Sequence, residues 1–122
     1  MLNRLQKIKR HREHSLRRAM THLIHEEQNL LSDQITLRER LNLLFQKWRE
    51  QADQSGYLDH SGLTALRSAL ARTERDVQQL KHELNSLASE LIRLAQQRKE
   101  LEESLSRNLR EQEKLLLLEE LQ

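Results

Sequence analysis

The stretch Gln54-Ser55-Gly56-Tyr57-Leu58-Asp59-His60-Ser61-Gly62 holds both glycines of the chain, and there is no proline anywhere. Glycine and proline are the strongest local punctuators of structure. Outside this stretch the sequence reads as helix without interruption. One mid-chain reversal between two very long helices follows. The expected fold is all-α, a long antiparallel two-helix coiled-coil hairpin forming a single domain over 1–122. Its first helix covers about 2–52, its turn about 54–61 and its second helix about 62–120.

Periodicity supports the two helices. In the first, Leu16, Leu23, Leu30, Leu37 and Leu44 recur every seven residues. Met20, Leu41 and Trp48 occupy the intervening core positions, but so do Glu27 and Gln34. Ile24, Leu31, Ile35 and Phe45 widen the apolar stripe, as suits a helix packed against more than one neighbour. In the second, Leu63, Leu66, Leu70, Thr73, Val77, Leu80, Leu84, Leu87, Leu91 and Leu94 alternate spacings of three and four. That is a heptad seam, and its period implies a left-handed supercoil. Asp59 or Ser61 is placed to cap the start of this helix. Each helix would be about 75 to 90 Å long.

Centring the turn near residue 58 sets the expected register. Leu37 then lies near Leu80, Leu30 near Leu87, Leu23 near Leu91 and Leu94, and Leu16 near Leu101. The short turn disfavours the rival arrangement, two separate helices in a parallel dimer. Each fully buried leucine contributes about 1.5–3 kcal/mol, whereas ordering one backbone residue costs about 1–2 kcal/mol. A two-helix fold buries little for its surface. Marginal stability alone is expected, with a partner or self-association covering the broad stripe.

Composition narrows the class. Charged residues make up 33% and aromatics 2% of the 122 residues, with Leu, Glu, Arg, Gln and Lys dominant, as in coiled coils. Disorder shares this composition, but the net charge is only +2 and the leucines are periodic. The absence of cysteine excludes a disulfide framework and fits a reducing cytosol. No apolar run has signal-peptide or membrane-spanning length. The expected chain is cytoplasmic and does not insert directly in a membrane.

The two ends differ chemically. Phe45, Trp48 and Tyr57 lie at or near the turn and, with Leu58 and Leu63, either plug the end of the coil or form a contact patch, since Trp and Tyr are favoured interface anchors. At the other end Arg4, Lys7, Lys9, Arg10, Arg12, Arg17 and Arg18 face a single Glu13 within residues 1–18, a net charge near +6. The register sets this segment beside 98–114, where five basic and five acidic residues balance. The seam also weakens there, with Gln6, Lys9, Glu13, Arg98, Asn108 and Gln112 at core positions. Leu2, Leu5, Ile8, Leu109 and Leu115 to Leu118 are left without a clean seam. This end either frays or inserts into a surrounding protein through apolar contacts and a basic collar.

No constellation for catalysis is evident. No phosphate-binding glycine loop is present. His22 and His25 share a helix face beside Glu26, and His11 and His14 repeat the spacing, but a structural zinc site needs about four ligands. No paired Glu-x-x-His motif for a di-iron bundle occurs. The chain is expected to be no enzyme and to hold no metal and no cofactor. A basic segment before heptads evokes a basic-zipper DNA reader. Yet the basic stretch overlaps the heptads and lacks that family's Asn and Arg signature, so nucleic acid is not an expected partner.

A small, cysteine-free chain that opens Met-Leu-Asn-Arg-Leu-Gln-Lys-Ile-Lys-Arg and runs as one helical hairpin resembles the YscO/FliJ/EscO family of type III secretion and flagellar export stalk proteins. The resemblance covers nearly the whole chain and rests on architecture and on the basic, leucine-bearing N-terminus. It implies a fold similar to the antiparallel coiled coil of the rotary ATPase γ subunit. It also implies a central stalk in a hexameric secretion ATPase, stimulating hydrolysis and linking it to the export gate protein at the inner membrane. Secretion chaperones are further implied partners. Carried onto this sequence, Arg4, Lys7, Arg10, Arg12, Arg17, Arg18, Arg107 and Arg110 are the ring contacts. Trp48, Tyr57, Leu58 and Arg67 face the gate or a chaperone. The alternative is a coiled-coil scaffold or chaperone adaptor without a ring partner.

Overall fold

The computed structural model describes residues 2–122, without the side chain of Ser55. It is all-α: α1 spans Leu2–Asp53, a single 3-10 turn spans Gln54–Tyr57, and α2 spans His60–Glu120. The two long helices pack against each other as a hairpin. By internal packing the chain forms two compact units. Unit 1 joins residues 1–29 to 91–122, and unit 2 comprises residues 30–90.

Unit 2 contains the reversal. At the end of α1 the backbone stays right-handed through Asp53 (φ −65°, ψ −21°) and tightens into the 3-10 turn. Leu58 is extended (φ −110°, ψ 147°). Asp59 then caps α2: its Oδ1 accepts a hydrogen bond from the Gly62 N–H at 2.7 Å. Its carbonyl accepts the first helical bond, from Leu63 N–H at 2.8 Å. Asp59 therefore satisfies one of the donors that a helix start leaves unpaired. Neither glycine has positive φ, so the reversal does not depend on left-handed backbone. Gly62 is instead a close approach: a Cβ there would lie 3.0 Å from Asp59 Oδ1 and 3.1 Å from Leu58 Cβ. A Cβ at Gly56 would meet nothing within 4 Å.

The seam of unit 2 buries Leu66 and Val77 together with Thr73, which is 2% exposed. Thr73 Oγ1 lies 3.0 Å from Gln51 Oε1, to which it donates a hydrogen bond across the helix pair. Leu44 and Leu80 line one groove, and Leu37 and Leu87 line another. Partners thus sit one heptad away from the expected pairing of Leu37 with Leu80. In unit 1 the core is Leu16, Leu23 and Leu94, with buried Gln6 and Asn108. Here Leu23 lines a groove with Leu101, not with Leu91 or Leu94. Arg98 Nε stands 3.4 Å from Glu27 Oε1 as an ion pair, and that buried oxygen makes no hydrogen bond. Both units run antiparallel in the same corrected register.

Two physical reasons account for the correction. The reversal is asymmetric, because α2 begins at His60 and runs about three and a half turns before Thr73 meets Gln51. Leucines spaced by seven also fit equally well when slid by seven, so they do not discriminate. The polar seam residues do. A one-heptad slide back to the turn-centred register sets Arg98 against Met20, Glu27 against Leu91 and Thr73 against Leu44. Each loses its cross-helix partner: Thr73 keeps the Ala69 carbonyl of its own helix, but Arg98 and Glu27 are left facing apolar side chains, and an unpaired buried polar group costs about 1–3 kcal/mol.

The capping geometry predicts that Asp59→Ala lowers stability by about 1 kcal/mol. Gly56→Ala, lacking both a steric clash and a positive φ, should leave it unchanged or raise it by up to about 1 kcal/mol. Urea denaturation followed by circular dichroism measures both. The polar pairing predicts that Arg98→Leu alone destabilises by about 1–3 kcal/mol, since it strands the Glu27 carboxylate. The double variant Glu27→Leu/Arg98→Leu should recover stability yet populate a second register. Distances between spin labels on the two helices would then split into two populations about 10 Å apart along the axis. A single population identical to the wild type would refute this role.

Candidate functional site

The open end of unit 1 holds both chain ends, and its side chains sort into a paired seam and an unpaired surface. On the seam, positions that looked too polar to pack are matched across the helices. Gln112 Nε2 donates to Glu13 Oε1 at 3.0 Å and to Asn108 Oδ1 at 2.7 Å. Gln6 Nε2 donates to Glu119 Oε2 at 2.8 Å. Lys9 Nζ bridges to Glu111 Oε2. Arg17 Nε donates to Glu13 Oε2 at 2.7 Å, one turn along the same helix. The hydrogen bond from Gln112, and then Arg17, hold the Glu13 carboxyl below its ordinary range. Lys9 does the same for Glu111, through its hydrogen bond and its charge. The seam continues in polar form through this end.

The corrected register also changes what the basic segment faces. Residues 2–18 lie beside roughly 106–122, as the Gln6–Glu119 and Glu13–Gln112 contacts show. That stretch carries Arg107, Arg110 and Lys114 against Glu111, Glu113, Glu119 and Glu120. It is close to neutral, and among the described residues only Glu111 of the four acids takes a cation from α1.

The expected ring-contact residues separate into two kinds. Arg4, Lys7, Arg10 and Arg12 are exposed and carry no ion pair among the described residues. Arg18, exposed, reaches only Ser15 Oγ at 3.3 Å. Arg107 reaches Ser104 Oγ at 3.4 Å, and Arg110 is exposed. Arg17 differs, because its guanidinium is committed to Glu13. Around these cations Leu5, Ile8, Leu109, Leu116, Leu117, Leu118 and Leu121 are exposed, Leu121 at 84%. Cations and apolar side chains thus share one end of unit 1, a combination suited to an acidic protein surface with apolar holes.

The expected turn-end residues belong to unit 2. Tyr57 is 92% exposed and therefore packs on nothing. Trp48 and Leu58 are each a little over one-third exposed, and Arg67 is exposed. Phe45 is half-buried, with Lys81 Nζ 5.5 Å from its ring centroid, an aromatic–cation contact. The plug of three aromatics does not form around Tyr57, since the 3-10 turn presents that ring to solvent. The lysine over Phe45 was missed by sequence reading. Only the corrected register sets position 81 beside position 45.

Among the described residues no group of three or more His, Asp or Glu is arranged to hold a metal ion. His22 Nε2 instead pairs with Glu26 Oε1 at 2.7 Å. Among the described residues no helix is long and apolar enough to cross a membrane. The chain matches no family model, no curated protein and no solved structure.

The depressed carboxylates predict a pH dependence with a definite sign. Glu13 and Glu111 titrate lower in the folded chain than in the unfolded chain. Their contribution is complete above the ordinary carboxylate range and is lost as pH falls through the depressed folded values. Between about pH 5 and pH 3 the wild type should lose more stability than Glu13→Gln, which has no proton to gain there. Thermal melts at a series of pH values test this, and parallel acid slopes for the two proteins would contradict it.

Proposed function

We propose that the chain is a non-catalytic helical hairpin that docks the open end of unit 1 into a protein partner. Following its resemblance to type III export stalks, that partner is a hexameric secretion ATPase. Docking stimulates hydrolysis and couples it to an export gate, at the cytoplasmic face of the inner membrane and through protein contacts alone. The observation that carries the reading is the set of four exposed, unpaired cations, Arg4, Lys7, Arg10 and Arg12, beside exposed leucines. Cations free of internal partners are available to acidic groups on another protein. Such contacts favour fast association and correct orientation over tight binding. Repeated acidic sites around a ring can exchange on them. The exposed Trp48, Tyr57, Leu58 and Arg67 in unit 2 are suited to a second contact, with a gate or a chaperone.

The test is ATPase stimulation by the wild type and by a chain with Arg4, Lys7, Arg10 and Arg12 all changed to Glu. Arg17 is left alone, because its loss would disturb the Glu13 network. Stimulation should fall by about tenfold or more with helicity unchanged. Equal stimulation would reject the ring contact. Binding to secretion chaperones without any effect on the ATPase would move the assignment to the adaptor reading.

A further inference from the structure

A surface on unit 2 and another on unit 1 carry the same spacing with opposite charge. On α1, Arg40, Leu43, Leu44 and Lys47 stand at i, i+3, i+4 and i+7. With Asp76 and Leu80 of α2 they line an open, mainly apolar groove. Leu43 is 64% exposed at its edge. Arg40 and Lys47 carry no ion pair among the described residues. On the last turns of α2, Glu113, Leu116, Leu117 and Glu120 repeat the spacing. All four are exposed, the leucines at 48% and 55%, and neither glutamate carries an ion pair among the described residues. The seam of α2 at this level passes through Gln112 and Leu115, so the face of Glu113 and Leu117 points away from it.

Residues at i, i+3, i+4 and i+7 lie on one face of a helix, and such a face is how a helix seats in a groove. In each segment the charges are seven residues apart, about 10.5 Å along the axis. Each charge pair brackets two leucines. One segment is cation-Leu-Leu-cation and the other anion-Leu-Leu-anion.

We infer that the groove at Arg40, Leu43, Leu44 and Lys47 receives the C-terminal turns of a second copy of this chain. Leu116 and Leu117 cover Leu43, Leu44 and Leu80, while Glu113 and Glu120 meet Arg40 and Lys47. The occupant is a second copy because α2 is unbroken from His60 to Glu120, and a helix cannot lay its last turns on its own side chains. The contact is small and its ion pairs are exposed, so association is weak, rapid and sensitive to salt. This inference does not depend on the ATPase reading.

Sedimentation equilibrium of the full chain at low ionic strength tests it. The wild type should show reversible, concentration-dependent self-association that weakens as salt is added. Arg40→Glu/Lys47→Glu and, separately, Glu113→Lys/Glu120→Lys should each weaken it by about tenfold or more, with circular dichroism unchanged. An equimolar mixture of the two variants should associate again, because each then offers what the other lacks. A wild type that stays monomeric up to near-millimolar concentration overturns the inference. So does undiminished association of either variant, or a mixture that associates no better than its components.

Discussion

The matched polar pairs in the seam decide which leucine meets which. Gln51 with Thr73 in unit 2, and Glu27 with Arg98 and Glu13 with Gln112 in unit 1, occur at positions where a coiled coil expects apolar side chains. A leucine seam is indifferent to a slide of seven residues. A carboxylate at the interface is not, because away from its partner it is stripped of water with nothing in return. The polar pairs give up some packing and in exchange exclude the slipped register, the best-attested use of polar groups in such interfaces. The surroundings of the basic segment, the pairing of Phe45 with Lys81 and the content of each surface groove all follow from that choice.

Much of this was legible in the residues, for reasons of different strength. The two helices and the turn are written in the spacing of leucines and in the absence of proline, which are local signals. The seam residues of α2 from Leu63 to Leu94 are the ones that lie against α1. Register is not local. Centring the turn on residue 58 assumed a symmetric reversal, and a 3-10 turn followed by the Asp59 cap is not symmetric. The signal that would have resolved it was present. Glu27 and Gln34 interrupt the core positions of one helix, and Arg98, Asn108 and Gln112 those of the other. The slide that sets Glu27 against Arg98 and Glu13 against Gln112 is the one seen. Without those pairs in view, the polar end of the seam reads equally as a place to fray or to insert.

The candidate site was legible as a composition and not as a geometry. Seven cations against one acid in the first 18 residues announce an unneutralised surface. Sequence alone does not tell a cation held by its own chain from one left for a partner. Arg17 follows Glu13 by four residues, a spacing that pairs side chains on a helix, so its commitment was within reach. Lys9 is bound by Glu111 of the other helix, a pairing that no spacing along one helix announces. At the turn end the sequence leaves two readings open. Three aromatics close together allow a plug or a contact patch, and Tyr57, in a 3-10 turn, is exposed and takes no part in a plug.

The two proposals draw on one piece of the molecule. The basic collar that would meet an acidic partner and the turns that carry Glu113, Leu116, Leu117 and Glu120 both belong to the open end of unit 1. A second copy holding those turns removes exposed leucines from the surface a partner would use. A partner engaging that end in turn removes the anion-Leu-Leu-anion face from self-association. Two ligands that compete for one surface are linked by mass action, each lowering the apparent affinity of the other. Both contacts rest on exposed charges and a few leucines, so neither is tight enough to be final. An apolar end that must stay soluble until it finds its partner gains from such an arrangement. If both proposals hold, weak self-association shelters the leucines while the chain is free and gives them up when a larger, more acidic surface competes for the same end.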